Sequence, residues 1–203
     1  MQSTASQIDE NCQRILWGIA QKLRAANHCI DIVPGMNNLS AIVDPQRHSA
    51  AAMLDILREL ASTTQAVEFQ ARQIQIPVHY GGECGPDLDL VARHCQLSTK
   101  EVIRLHSQAD YLVYFLGFQP GFAYLGGLTA SLHTPRRAEP RLQIAAGSVG
   151  IGGSQTGIYP AASPGGWQII GRTNLRLFDT QQSPPSLLQP GDIVRFVAEQ
   201  NDA

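Results

Sequence analysis

Between Tyr111 and Leu175 the chain carries Arg136, Arg137, Arg141 and Arg172 against a single acid, Glu139, with no lysine and no aspartate. Four positive charges against one negative leave this region net +3, in a chain whose total is −2. A guanidinium is a planar fork that meets carboxylate or phosphate with two parallel N–H groups. His133, Gln119, Gln155 and Tyr159 lie on or beside the Gly/Pro-rich turns of the same region. Together these residue types describe a pocket for a small anionic or amide-bearing ligand. They equally describe arginines that cover a barrel and cap its carbonyls, and residue types alone leave both readings open.

Several familiar chemistries are excluded. The run "GSVGIGGSQTG" (147–157) is rich in glycine but lacks the Lys-Ser/Thr ending of a P-loop and the third glycine of a dinucleotide fingerprint. "GGSQT" fails the last position of a nucleophile elbow. No H-E-x-x-H occurs and the histidines are scattered, so no metal site is expected. The charge balance argues against nucleic acid as a partner. No apolar run reaches the ~18 residues of a membrane span. The start "MQSTASQIDENCQRILWG" shows no basic end followed by an apolar block, and Cys12, Cys29, Cys84 and Cys95 form no C-x-x-C pair. A cytoplasmic protein with reduced thiols is expected. What remains is a ligand pocket without a complete catalytic set.

Two styles of sequence must position these residues. From Ile8 to about Gln65 the pattern is α/β. Ile8, Cys12, Ile15, Leu16, Ile19, Ala20 and Leu23 recur at helical spacing. "CIDIVPGMNNLSAIV" reads as two strands around a turn, and a helix from Ser49 to Leu60 carries Met53, Leu54, Leu57 and Leu60. "RQIQIPVHYGG" alternates as a strand. Two short helices follow, the first capped by Asp87 and the second opened by a capping box of Ser98 and Glu101. From Tyr111 helical periodicity stops, and short apolar runs alternate with glycine and proline, as in a closed, sharply bent β-barrel. The expected fold class is α+β: a small N-terminal α/β domain at 1–80, a helical bridge at 81–110 and a β-barrel at 111–203. "GFQPGFAYLGGL" (117–128) is expected to leave a barrel strand and form a flap over the mouth, with Phe118 pointing into the core and Phe122 and Tyr124 at a pocket, at a partner surface or plugging the barrel.

Five segments, "VPGMNNLSAIV", "IPVHYGGECGPDLDLVA", "FLGFQPGFAYLGGL", "LHTPRRAEPRLQIAAGSVGIGGSQTGIYPAASPGGWQIIGRT" and "LLQPGDIVRF", resemble in order the family of 5-oxoprolinase B subunits. That family includes the inhibitor of a sporulation histidine kinase and the first-subunit domain of allophanate hydrolase. Ala123 departs from it, standing where the family often has proline. The resemblance implies a cyclophilin-like barrel and a role as the B subunit of an ATP-dependent enzyme that opens 5-oxo-L-proline to L-glutamate. It implies two partners, a homologous second subunit (C) and a third subunit (A), with ATP and Mg bound in the assembled complex and no cofactor bound by this chain alone. Alternative readings are an inhibitor of a sensor histidine kinase and a carboxyl-transfer subunit. With the resemblance in view, Arg136 or Arg137 is the anion clamp and His133 the proton shuttle or hydrogen-bond donor. Gln155 and Tyr159 orient the substrate amide, and Gln119, Phe122 and Tyr124 complete the pocket.

Overall fold

The computed structural model describes residues 9–68 and 71–199. It divides into two compact units, Met1–Gln70 and Ala71–Ala203.

In the first unit, α1 (Glu10–Ala26) starts at Asp9, whose side chain accepts the Cys12 N–H, and stops at Asn27 in the left-handed conformation. Its apolar stripe of Leu16, Ile19, Ala20 and Leu23 is buried against Ile32 and Leu39 of a hairpin and Met53 of a second helix. Ile8, placed in that stripe by its spacing, lies outside the described residues. The hairpin is β1 (Asp31–Gly35) and β2 (Asn38–Ile42), closed through Asn37 at φ 52°. The Asn37 N–H donates to Oε1 of the fully buried Gln13. Helix α2 (Ala50–Thr63) is capped by Ser49, and of its expected stripe Met53 is buried while Leu54 faces out.

The second unit is built on a closed seven-stranded barrel, so the α+β class is as expected. In chain order its elements are β3 (Gln73–Tyr80), α3 (Leu88–Cys95), α4 (Thr99–Gln108), β4 (Tyr111–Leu116), β5 (Ala123–Gly126), β6 (Arg141–Ile144), β7 (Ser148–Gly152), β8 (Gln155–Ile158), β9 (Ser163–Gly165), β10 (Gln168–Arg172) and β11 (Ile193–Ala198). Around the barrel the order is β10-β3-β11-β4-β5-β8-β7, and β6 and β9 form a separate two-stranded ribbon. The barrel's core is a continuous apolar cluster that includes Ile76, Val78, Tyr111, Leu125, Ile151, Ile170 and Phe196. This is a packed interior rather than a lumen.

Two expectations about organisation need correcting. The strand at 73–80, assigned from sequence to the N-terminal domain, pairs parallel with β11 and antiparallel with β10, so it is a barrel strand. Helices α3 and α4 do not stand apart as a bridge, because α3 packs on β10 and α4 on β11 within the barrel unit. Two caps also differ. Asp87 makes no side-chain cap bond to α3, because its carboxylate is engaged elsewhere. Ser98 does accept the Glu101 N–H, but the Glu101 carboxylate turns to Arg104.

Candidate functional site

The segment from Thr134 to Glu139 runs from a short 3-10 turn (Ala130–Leu132) toward β6 and is pinned at two points. Thr134 exchanges both backbone hydrogen bonds with Gly153, and the Arg137 N–H donates to the Gly166 carbonyl at 2.7 Å. Between the pins, the Pro135 carbonyl accepts from Gln168 and the Arg136 side chain is exposed. With Leu90 and His94 of α3 and Gln168 of β10, the segment lines an open cavity of about 440 Å³ that also meets Arg137 and Glu139.

One buried carboxylate holds this arrangement together. Asp87, 5% exposed at its side chain, takes 2.8 Å bonds from both terminal nitrogens of Arg141 and a 3.3 Å bond from Arg137. Its Oδ2 also accepts the Ile169 N–H at 2.6 Å, while its own N–H donates to the Ile169 carbonyl. The 81–87 loop comes this close to β10 because Gly85 has no side chain; a Cβ there would collide with the Ile170 carbonyl. Two forks and a strand are thereby tied to one charge. A buried charge is tolerated when it is paired and fully hydrogen-bonded in this way. The arginine pair therefore divides. Arg137 is a structural partner of Asp87, so of the two arginines expected from sequence as an anion clamp it is the one already paired with an acid. Arg136 is exposed, its guanidinium lies 5.8 Å from the Trp167 ring centroid, and it has no carboxylate partner among the described residues.

Gln168 is the other incomplete group. Its Nε2 donates to the Pro135 carbonyl at 3.0 Å. Its Oε1 is the one buried side-chain polar atom among the described residues that lacks a partner.

Trp167 links this cavity to an aromatic cluster of Phe122, Tyr159 and Tyr124, packed edge to face at centroid distances of 5.0–6.5 Å. Gly152 lets the Trp167 ring lie against β7, since a Cβ there would fall 2.6 Å from the indole. Burial pushes the Tyr159 phenol up; a backbone N–H of Trp167 and the charge of Arg136 pull against it.

The residues singled out from sequence are thus only partly brought together. Arg136 and Arg137 line the cavity. Phe122 and Tyr159 are each 2% exposed inside the aromatic cluster, and half-buried Tyr124 stacks on Phe115 at 4.4 Å. Gln119 donates to the Ala161 carbonyl, and Gln155 opens β8 opposite Gly152. His133 is exposed and its Nε2 donates to the Leu128 carbonyl at 3.2 Å; the histidine on the cavity wall is His94. Phe118 is not core. At φ 67° its side chain is 61% exposed, in a tight turn closed by bonds between Gly117, Gln119 and Phe122. From sequence, Asp87 figures only as a helix cap, and His94 and Gln168 carry no role. Only the orphaned oxygen of Gln168 and the pairing of Asp87 reveal them, and both are tertiary facts.

A second polar constellation sits in the barrel core. His106 of α4 is fully buried. The Tyr80 hydroxyl donates to its Nδ1 at 2.7 Å, its Nε2–H donates to Thr156 Oγ1 at 2.9 Å, and Thr156 donates onward to the Gly150 carbonyl at 3.0 Å. Desolvation lowers the His106 pKa to about 3, so the ring is neutral, and the onward bond of Thr156 fixes the Nε2–H tautomer. Among the described residues no cluster of His, Cys, Asp and Glu could hold a metal ion, and no helix is long and apolar enough to cross a membrane.

Comparison with known proteins gives a consistent result. Residues 1–188 match the family model of the carboxyltransferase domain, subdomain C and D. The chain is 53% identical to the B subunit of 5-oxoprolinase from Escherichia coli O157:H7, over 92% of this chain and 86% of that one. It is 50% identical to the B subunit of 5-oxoprolinase from Haemophilus influenzae, over 92% and 87%. The crystal structure of TTHA0988 superposes with a TM-score of 0.83 at 37% identity; the match covers 97% of this chain but only 39% of that longer one.

Proposed function

From the premise that the chain belongs to the carboxyltransferase C and D subdomain family, among its 5-oxoprolinase B subunits, we propose that it serves as the B subunit of an ATP-dependent 5-oxoprolinase. The complex opens 5-oxo-L-proline to L-glutamate, and this chain acts with a homologous second subunit (C) and a third (A) in the cytoplasm. The observation that carries the reading is the 53% identity with a 5-oxoprolinase B subunit over nearly the whole chain. It favours the enzyme over the kinase-inhibitor and carboxyl-transfer alternatives.

The geometry supports a share in a composite site. A lactam carbonyl is a poor electrophile until its oxygen is phosphorylated, and the site for that step must hold a carboxylate, hold phosphate and keep out bulk water. Arg136 suits the first task, because its charge is not already spent on an acid and Trp167 holds it at the cavity. Arg137 is committed to Asp87 and positions the segment instead. His94 is the cavity's candidate proton carrier, in the place where His133 was expected. Phe122 and Tyr159 pack with Trp167, the ring that carries Arg136, in one buried apolar cluster. In this reading ATP and Mg are bound in the assembled complex, and the chain contributes its share of the site only there.

The test is reconstitution. The chain, co-expressed with the second subunit and mixed with the third, gives glutamate in the presence of ATP and 5-oxoproline; leaving out this chain stops it. Glutamate formation that proceeds without the chain, or by the chain alone, contradicts the reading.

A further inference from the structure

We propose that Gln168 recognises the ring N–H of the lactam substrate, and that Gln168 and Arg136 together select a small molecule carrying an N–H beside an anionic group. The inference rests on the function proposed above and names the atoms that read the substrate.

Gln168 opens β10 at the cavity wall and is 5% exposed. The orientation of its amide is decided by its neighbour. Nε2 donates to the Pro135 carbonyl at 3.0 Å, whereas the reversed amide would set oxygen against oxygen. Oε1 is therefore an acceptor, and it has no donor. A buried acceptor left unpaired costs about 1–3 kcal/mol, a cost that an apolar strand residue would avoid. Among the described residues no other buried side-chain polar atom is left so: Asp87 takes four hydrogen bonds, and the His106 chain closes on a backbone carbonyl. An acceptor left open in the one wall that also carries an uncompensated cation is complementary to a ligand with a donor and a negative charge.

In 5-oxoproline the carboxylate is borne by the ring carbon bonded directly to the lactam nitrogen. A single small molecule can thus offer its carboxylate to Arg136 and its N–H to Gln168. Oε1 has almost no exposed surface, so the N–H reaches it as the Pro135–Arg136 span shifts. That span is anchored at Thr134, at Arg137 and through the Pro135 carbonyl on Gln168 Nε2, while the exposed Arg136 side chain can follow the ligand.

The experiment compares the reconstituted three-subunit enzyme with its Gln168→Met and Gln168→Leu forms. Three quantities are read: KM for 5-oxoproline, KM for ATP, and Ki for the lactone analogue, in which a ring oxygen replaces the N–H. The wild-type complex should favour the lactam by about tenfold or more, because a site that hydrogen-bonds an N–H rejects an analogue lacking it. The variants should lose that preference, with KM for 5-oxoproline raised about tenfold, while KM for ATP and the lactone Ki stay the same. Their thermal unfolding should change little, because removing the orphaned acceptor offsets the lost Nε2 bond to Pro135. Variants that retain the wild-type preference for the lactam overturn the inference. So do two variants that fail to fold, which would make the amide a structural bond to Pro135. A wild-type complex that shows no response to 5-oxoproline sinks the proposed function, and this inference with it. An active wild type with unchanged variants sinks this inference alone.

Discussion

The barrel core and the cavity wall are built from the same kinds of residue, and they differ in whether their hydrogen bonding is complete. In the core, Tyr80, His106 and Thr156 form a directed chain in which each donor finds an acceptor, ending on Gly150, and the Tyr111 hydroxyl adds a bond to the His106 carbonyl. At the cavity, Arg136 has no acid and Gln168 Oε1 has no donor among the described residues. The core holds the most displaced histidine, yet its displacement comes from burial and its atoms are all engaged, so it is a structural network. Polar content alone does not mark a site. Unfilled hydrogen-bonding capacity beside accessible space does, and the closed networks define the frame in which the open groups are held.

That contrast can be broken most severely at Asp87. Asp87→Ala leaves Arg141 and Arg137 without their partner and frees the Ile169 N–H. Removing one member of a buried ion pair costs roughly 3–5 kcal/mol. Denaturant unfolding should show a loss in that range; a loss below about 1 kcal/mol would mean that the carboxylate does not organise the segment.

Phe122 tests the aromatic cluster behind Trp167. Because it is 2% exposed among Tyr159, Tyr124 and Trp167, Phe122→Ala should lower stability by about 3–5 kcal/mol, as for other buried phenylalanines. A stable variant that assembles poorly would instead place Phe122 at a partner surface.

The core network makes a smaller, pH-dependent prediction. Folded His106 stays neutral down to about pH 3, whereas its unfolded counterpart takes up a proton near 6.5. The unfolded state thus binds the extra proton between these values, and stability falls as pH is lowered through that window. The slope from this one group is about 1.4 kcal/mol per pH unit. Unfolding measured between pH 6.5 and about 5 should therefore lose about 2 kcal/mol from this source, and His106→Gln should flatten the slope by that amount. An unaltered slope in the variant would show that His106 is not held neutral.

Much of this architecture was legible in the sequence. Glycine and proline spacing after Tyr111 announced a bent barrel, and the 3.6-residue spacing announced α1. What was not legible depended on partners distant in the chain. "RQIQIPVHY" reads as a strand, but its place in the barrel comes from pairing with β11 at the far end of the sequence. Charge counted over 111–175 made both arginines look free, because the acid that holds Arg137 lies outside that window at Asp87. Phe118 follows an apolar run, yet its positive φ turns it outward. Gln168 sits inside "GWQIIG" like any strand residue, and nothing local shows that its oxygen finds no donor.

The most direct measurement sets Arg136→Ala beside Arg137→Ala, following both unfolding free energy and 5-oxoproline-dependent ATP hydrolysis in the assembled complex. Arg136→Ala should change stability by no more than about 0.5 kcal/mol, as for an exposed residue outside any network. It should raise KM for 5-oxoproline about 10- to 100-fold, the equivalent of losing a charge-assisted hydrogen bond. Arg137→Ala should show its main loss in stability. Normal turnover in Arg136→Ala, with the stability loss falling there instead, would contradict the assignment of Arg136 as the open charge of the site.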